Sequence, residues 1–490
     1  MLFNSIEFVF FFVIVLAIIT IYKNRNFHHI FLLIASCFFL YFSNNYLIGL
    51  LIFSIILDFY VGKMIWQTSS KQKKKILLSI SLVGNLALLG FFKYADFAIM
   101  QFNIMGNYFD LTNDIPLLDL ILPIGISFYT FQTITYTVDI YRGKLTPSKS
   151  LKEFALFVSF FPQLVAGPIV RASEFLPQLR EKLEKINGVS KLKQIRIHPN
   201  NLKLGITLMA FGFFKKMFFA DNIAPLVNNV FADPIGLDSM SIMLGTLAFG
   251  IQIYGDFSGY TDIAIGAALI LGFKLPINFN KPYFAISPSD FWRRWHISLS
   301  SWLRDYLYIP LGGNKKSKSR TYVNLAVVMI LGGLWHGASW NFIIWGMLHG
   351  TYLAIHKLIS DRFPSLKNNF FFKSKIGRLI SILIMQYFVF LAWIPFRANN
   401  LEDAIYAIQK YVLFDFQASG VLSLIVENKL SVVLMILFII LHIISYKKHN
   451  IVDQISKFQL RHWTIIIMII LGAIVFFYNA NPQDFIYFRF

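Results

Sequence analysis

Long apolar runs, separated by short polar segments, follow one another along almost the whole chain. A helix needs about 20 apolar residues to cross a bilayer. The runs predict twelve membrane-spanning helices, near residues 6–22, 28–42, 46–66, 76–92, 121–141, 203–220, 241–257, 322–336, 341–357, 378–396, 430–446 and 463–479. This pattern indicates an all-α integral membrane protein, with residues 1–490 forming a single polytopic domain.

Two apolar segments do not fit a complete span. Residues 150–170 are interrupted at Pro162 and again at Pro168, and residues 259–273 are short and contain glycine. Non-helical backbone is tolerated at membrane depth only where it is buried in protein or lines a cavity. We therefore expect both segments to be re-entrant or interfacial, placed around a central tunnel.

The charges of the loops alternate along the chain. Lys and Arg collect in short cytoplasmic loops, and basic loops follow the first, third, fifth, ninth and eleventh predicted spans. The intervening segments 43–45, 96–114 and 221–240 carry Asn or Asp instead. The alternation places both termini outside, which requires an even number of spans and agrees with twelve.

Composition supports a membrane protein and excludes other classes. Of the 490 residues 56% are hydrophobic and only 14% are charged, with a mean hydropathy of +0.60, so a soluble globular chain is excluded. The net charge of +20 is explained by the cytoplasmic loops, and no nucleic acid partner is expected. Cys37 is the only cysteine, which excludes an intrachain disulfide and a cysteine-based zinc site. No metal site is predicted.

Residues 278–350 contain the densest polar and aromatic motifs and form the predicted catalytic core segment. Within it, His336 lies at predicted membrane depth between glycines. An ionisable residue inside a membrane is a functional candidate, and a neutral histidine is the usual general base near pH 7. The alternative is a histidine packed in the core.

His296 is the second candidate in this segment. Trp292, His296 and Ser300 recur at four-residue spacing, which predicts one shared face of a helix, and Arg293 and Arg294 flank the histidine with positive charge. The alternative is an interfacial Trp/Arg anchor that happens to contain a histidine. His349 is expected to be structural and hydrogen-bonded to a neighbouring helix.

Buried carboxylates supply the remaining candidates. Asp256 and Asp262 lie in or next to a predicted span, so each needs a nearby cationic partner, and a scaffolding role is as plausible as a functional one. The predicted substrate-binding residues are Trp292, Arg293, Trp295, Ser300, Arg304, Asp305, Trp335 and Asp256.

Four motifs resemble the membrane-bound O-acyltransferase family, specifically its bacterial branch of alginate and peptidoglycan O-acetylation membrane proteins. They are FFPQLVAGPIVR at 160–171, YGDFSGYTDIAIG at 254–266, FWRRWHISLSSWLRDYLYIPLGGN at 291–314 and GLWHGASWNFIIWGMLHG at 333–350. The resemblance implies an acyltransferase, above all an acetyltransferase, in which His336 is catalytic and His296 orients substrate or polarises the acyl carbonyl.

The resemblance also implies substrates, partners and location. The donor is a cytoplasmic thioester, either acetyl-CoA or an acyl carrier protein, and no cofactor is bound. The acceptor is a cell-envelope polysaccharide reached through a periplasmic or extracellular transferase, and the location is the bacterial inner membrane. Two alternatives stay open: D-alanyl transfer to teichoic acid, and a polytopic exporter or flippase for a saccharide.

The outer C-terminal tail, residues 480–490, ends in FIYFRF. On composition it is an aromatic interfacial anchor. It also resembles a short C-terminal aromatic motif of the acetyltransferase branch and of the small partner peptide of the D-alanylation system, with Arg489 in place of the expected glutamine. That resemblance implies that Tyr487 carries the acyl group as an aryl ester, with neighbouring phenylalanines docking the tail.

Overall fold

The structure, a computed structural model, describes residues 1–109, 114–164, 167–182, 190–368, 370–448, 450–478 and 485–486. Helices make up most of these residues. The strands that they contain are β1, Arg180–Lys182, and β2, Ser190–Leu192, which pair antiparallel with Arg180 opposite Leu192. The predicted all-α class is confirmed.

The α-helices are α1 Ile6–Ile21, α2 Arg25–Asn44, α3 Ile48–Gln67, α4 Lys71–Tyr108, α5 Ile126–Tyr141, α6 Leu151–Ser159, α7 Phe161–Leu164, α8 Ala172–Phe175, α9 Pro199–Phe213, α10 Asp221–Phe231, α11 Ser239–Ile270, α12 Pro288–Trp292, α13 Ile297–Trp302, α14 Lys318–His336, α15 Trp340–Arg362, α16 Phe370–Lys373, α17 Lys375–Arg397, α18 Leu401–Val412, α19 Ser419–Glu427, α20 Lys429–Lys447, α21 Ile451–Ser456 and α22 Leu460–Phe476. Two π-helices cover Phe214–Ala220 and Leu303–Tyr308. Short 3₁₀ helices cover Asn45–Leu47, Leu176–Leu179, Pro282–Phe284 and Pro364–Asn368.

Six of the described helices are long and apolar enough to cross a bilayer. They occupy Arg25–Phe42, Asn45–Gln67, Lys71–Tyr108, Trp340–Arg362, Lys375–Arg397 and Lys429–Lys447, and α1 and α22 are shorter apolar helices. Each of the twelve predicted spans overlaps a helix of the structure. The chain is therefore a multi-pass helical membrane protein.

The chain divides into two compact units, of which the first comprises Met1–Met209 and Ile263–Pro276. Its core is rich in fully buried phenylalanine, including Phe39 and Phe154. Buried acidic side chains also lie inside it, and one of them, Asp58, accepts hydrogen bonds from the hydroxyl of Ser81 at 2.6 Å and the amide of Asn85 at 2.9 Å. The predicted interruption of residues 150–170 is confirmed, because α6 ends at Ser159 and α7 begins at Phe161.

The second unit comprises Ala210–Asp262 and Ile277–Phe490. Its helices α14 and α15 pack closely through glycine. A Cβ atom on Gly346 would lie 2.5 Å from the carbonyl oxygen of Met329, and one on Gly333 would overlap the carbonyl group of Phe342. Since only glycine allows this approach, the two helices are held backbone to backbone up to His336.

The prediction of a re-entrant break in residues 259–273 is wrong. Helix α11 is continuous from Ser239 to Ile270. Gly259 does not interrupt the helix but allows a close helix contact. A Cβ on Gly259 would lie 2.6 Å from the carbonyl oxygen of Gly212. Small residues at helix interfaces permit such close packing.

Candidate active site

His336 is the last residue of α14 and is 4% exposed. The next residue, Gly337, is fully extended, and its N–H donates to the carbonyl of Gly333 at 3.3 Å. Three aromatic rings surround the imidazole, with ring centres 5.0 Å away for Trp335, 5.0 Å for Trp345 and 5.2 Å for Phe396. The helix end thus holds His336 in an aromatic pocket shielded from bulk water.

His296 occupies a sharp turn, and the prediction that Trp292, His296 and Ser300 share one helix face is wrong. Helix α12 ends at Trp292, His296 has φ 41° and ψ 56°, and α13 begins at Ile297. These left-handed angles separate α12 from α13. Burial in this turn, which lies outside the predicted spans, lowers the pKa of His296 to about 3, so its imidazole is neutral at pH 7.

Asn278 fixes this turn, a role that sequence reasoning did not assign. Its backbone carbonyl accepts from the N–H of Ile297 at 2.9 Å. Its side-chain oxygen accepts from the N–H of Ser298 at 3.3 Å and from the Ser298 hydroxyl at 2.6 Å. A buried asparagine thus accepts three hydrogen bonds from the two residues that follow His296, and these bonds hold the left-handed backbone of His296 in place.

The two histidines lie in one pocket. Their ring centres are 6.5 Å apart, and the His296 ring stands perpendicular to Phe257 at 4.7 Å. Even with a nitrogen of each ring pointing at the other, the gap is longer than a hydrogen bond. It is short enough for one small reacting group to contact both imidazoles.

The other predicted substrate residues divide into two groups. Trp335 contacts both histidine rings, Trp292 lies 5.8 Å from Trp345, and Trp295 is buried against Trp393. The hydroxyl of Ser300 donates to the carbonyl of Trp295 at 3.1 Å, so it stabilises the turn. The second group is more peripheral: Arg293 is exposed, and Arg304, 62% exposed, pairs with Asp305 at 2.7 Å. A substrate role for these three residues stays a prediction.

Cationic partners for the two buried carboxylates were predicted, and both are present. Lys216 lies between Asp221 and Asp256, with its ammonium nitrogen 2.8 Å from each carboxylate, and all three side chains are at most 4% exposed. Lys215 pairs with Asp262, and in this pair the side chains are 23% and 24% exposed. A buried charge is costly unless it is paired, and here pairing is achieved.

A cavity of about 510 Å³ is lined in part by Gly337, the residue that follows His336. Its polar lining includes Lys216, Asp221, Gln252, Asp256, Ser339, Asn341, Arg397 and Asn399, and its apolar lining includes Phe249, Phe342, Phe396 and Ile486. The loop alternation of the sequence places these helix ends on the outer side. We call this space the outer cavity.

One described residue of the C-terminal tail, Ile486, reaches this cavity. Phe485 stacks on Tyr260 with ring centres 4.3 Å apart, and the N–H of Ile486 donates to the carboxylate of Asp256 at 2.7 Å. Ile486 is buried and lines the cavity. Tyr487, the predicted acyl carrier, lies outside the described residues.

A second pocket, of about 310 Å³, lies at the opposite end of α14. It is lined by Asn314, Lys316, Lys318, Thr321, Tyr322, Lys357 and Asp361. Lys357 pairs with Asp361 at 2.6 Å, so the positive charge of Lys316 and Lys318 is in excess. We call it the basic pocket, and the loop alternation places it on the cytoplasmic side.

His349 is a further buried histidine of this region. His349 is fully buried among aromatic rings, 5.0 Å from Trp292 and 4.8 Å from Trp345. The expected hydrogen bond to a neighbouring helix is wrong, because neither ring nitrogen has a partner among the described residues. Those residues also contain no group of three His, Cys, Asp or Glu side chains that could hold a metal ion.

Comparison with known proteins agrees with this geometry. The model of the membrane-bound O-acyltransferase family matches residues 144–394, about half of the chain. The chain belongs to this family and is an O-acyltransferase.

Individual relatives cover more of the chain. It is 40% identical over 408 residues to the peptidoglycan O-acetyltransferase of Helicobacter pylori, covering 78% of this chain and 73% of the relative. It is 38% identical over 408 residues to the probable alginate O-acetylase AlgI of Azotobacter vinelandii, covering 82% and 76%. A teichoic acid D-alanyltransferase of Streptococcus thermophilus is 32% identical over 248 residues, covering 48% and 56%.

Proposed function

We propose that this chain transfers an acetyl group from a cytoplasmic thioester, through the His336 pocket, to an acceptor at the outer cavity that serves a cell-envelope polysaccharide. The observation that carries the proposal is the pair of buried histidines, with ring centres 6.5 Å apart, next to the outer cavity: Gly337, which follows His336, and Phe396, which contacts its ring, both line that cavity. In this proposal the chain lies in the bacterial inner membrane.

His336 acts as the general base in this proposal. It removes the proton from the attacking hydroxyl, the hydroxyl oxygen adds to the thioester carbonyl, and the C–S bond breaks. The proton held by His336 then passes to the leaving thiolate, so the histidine returns to its neutral form. His296, neutral in its fixed turn, orients the thioester or donates a hydrogen bond to its carbonyl oxygen.

The donor enters from the basic pocket. The excess positive charge there attracts the phosphates of coenzyme A or the acidic surface of an acyl carrier protein. Both donors share a phosphate-bearing arm that ends in a thiol, so this pocket does not discriminate between them. No bound cofactor is needed, since the thioester itself is the activated acyl group.

Tyr487 receives the acetyl group first and passes it outward. Its chain neighbour Ile486 lines the outer cavity, which supports this role. A phenol has a pKa near 10, so its ester is a better acyl donor than an alkyl ester. The aryl ester can therefore form from a thioester and still acylate a serine or sugar hydroxyl of a periplasmic or extracellular partner.

Similarity to the acetylating relatives favours an alginate-like polymer or peptidoglycan as the acceptor. The two acetylating relatives match about four fifths of this chain, whereas the D-alanyltransferase matches about half. Acetyl transfer is therefore preferred to D-alanyl transfer. A saccharide exporter is disfavoured because an export path does not require two buried histidines facing one gap.

The test uses the tail itself, so the polymer need not be known. Purified protein in proteoliposomes is incubated with acetyl-CoA or with acetylated acyl carrier protein, and the C-terminal peptide is analysed by mass spectrometry. We expect one added acetyl group on the wild-type peptide and none with Tyr487→Phe, which removes only the hydroxyl. Wild-type acetylation of the polymer by Tyr487→Phe in cells would contradict the carrier role.

A further inference from the structure

The ion triad Lys216–Asp221–Asp256 contains one more carboxylate than it has cations. Lys216 contacts one oxygen of each aspartate at 2.8 Å, and none of the three side chains is more than 4% exposed. A surplus buried negative charge is unfavourable unless further hydrogen-bond donors reach it. Hydrogen-bond donors that reach its carboxylates therefore stabilise the triad.

The C-terminal tail supplies such a donor. The first carboxylate oxygen of Asp256 contacts Lys216, and the second accepts the N–H of Ile486 at 2.7 Å. A charge-assisted bond of this kind is roughly twice as strong as a neutral one. The surplus charge and the tail thus stabilise each other.

A second contact fixes the register of the tail. Tyr260 lies four residues after Asp256 on α11, so the two side chains share a face of that helix. Phe485 stacks on Tyr260, and the next residue, Ile486, bonds Asp256. Two consecutive tail residues are therefore held by two consecutive turns of α11.

We propose that Asp256, paired with Lys216, and Tyr260 form a dock that holds Phe485 and Ile486 of the C-terminal tail at the outer cavity in one register. Asp256 is then a positioning residue and does not bind substrate. The dock holds these two residues whether or not Tyr487 carries an acyl group.

The structure offers a matched control. Asp221 and Asp256 pair with the same lysine at the same distance and are similarly buried, but only Asp256 bonds Ile486. Replacing either aspartate by leucine removes one ion pair with Lys216. Only Asp256→Leu also removes the contact with the tail.

The test measures how accessible the tail is. Cys37 is the only native cysteine, so Cys37→Ser combined with Ile486→Cys places a single thiol in the tail and keeps the backbone N–H. Full-length protein in membranes is treated with a membrane-impermeant maleimide, and the labelling rate is measured. Asp256→Leu should raise this rate about tenfold, the equilibrium effect of losing one hydrogen bond to a charged group.

The controls decide between docking and general destabilisation. Asp221→Leu should change the labelling rate by less than about threefold, since it leaves the hydrogen bond to the tail in place, and Tyr260→Leu should raise it, because Phe485 loses its stacking partner. If Asp256→Leu does not reach the membrane, Asp256→Asn is used, and it should raise labelling to a smaller extent. Equal labelling in the Asp256 and Asp221 variants, or no increase in the Asp256 variants, would overturn the proposal.

This readout is separate from the carrier hypothesis. Labelling of the thiol introduced by Ile486→Cys needs no thioester, acceptor or turnover. Tyr487→Phe should leave the protection of that thiol unchanged even if the acyl group is never attached to the tail. Failure of the dock and failure of the carrier role are therefore distinguishable.

Discussion

The two ends of helix α14 differ in charge. The basic pocket at its beginning contains three lysines against one aspartate, whereas the outer cavity that follows its last residue contains one lysine and one arginine against two aspartates. The helix has 19 residues, which at 1.5 Å per residue gives a length of about 28 Å between the two sites. One helix therefore connects an anion-attracting end to an electrically balanced end.

The difference shows how the two ends of one helix can favour different substrates. A phosphate-bearing thioester is attracted to the basic pocket, and a neutral hydroxyl is accommodated in the balanced cavity without competition from anions. His336 lies at the balanced end. The comparison therefore predicts that variants of the two histidines affect chemistry, while variants of the basic pocket affect donor binding alone.

The largest effect is expected at His336. Loss of a general base costs about 10²–10⁴-fold in rate, so His336→Ala and His336→Gln should reduce acetyl transfer by that factor with donor binding unchanged. The measurement is the initial rate of acetyl transfer in proteoliposomes. His349→Gln is the control, since it removes a buried imidazole of the neighbouring helix, and it should cost much less. Full activity of a well-folded His336 variant would exclude the histidine from the mechanism.

A smaller effect is expected at His296. Asparagine adopts left-handed backbone angles readily and can donate a hydrogen bond, so His296→Asn should retain more activity than His336→Asn. Because burial lowers the pKa of His296 and keeps its imidazole neutral at pH 7, the pH profile of the remaining activity should have the wild-type shape. Rates of both variants across about pH 5.5–8.5, a range of one unit or more around the ordinary histidine pKa, provide the check. The reverse ranking would mean that the two roles are exchanged.

The smallest effect is expected at the basic pocket. Replacing Lys316 and Lys318 by glutamine should raise the KM for the thioester about three- to tenfold and leave kcat unchanged, because steering depends on charge and not on contact with the reacting atoms. The wild-type KM should rise with ionic strength, and that of the double variant should rise less. Arg461→Gln, on the apolar helix α22, is the control for a general change in charge. An equal fall of kcat would show that the pocket belongs to the chemistry.

The sequence predicted those features that depend on local pattern and on elementary energetics. Spans follow from apolar run lengths, His336 from the rarity of ionisable groups at membrane depth, and the partners of Asp256 and Asp262 from the cost of burying charge. The lysines that pair with them, Lys215 and Lys216, were not predicted. They lie in the π-helix Phe214–Ala220, in another part of the chain.

Features that depend on distant contacts were not predictable. Helix α11 remains continuous through Gly259 because the glycine packs on the backbone at Gly212, and the sequence shows the glycine but not its neighbour. The His296 turn depends on Asn278, well before it along the chain, and the four-residue spacing of Trp292 and His296 imitates a helix that does not form.

The left-handed backbone of His296 also limits how this position can vary in evolution. A β-branched or bulky residue is strained at φ 41°, whereas asparagine, aspartate and glycine are tolerated. Drift at this site is therefore restricted by the backbone before any selection on catalysis acts. A homologue that lost the imidazole could keep the fold only through that narrow set of replacements, and an inactive descendant should carry one of them.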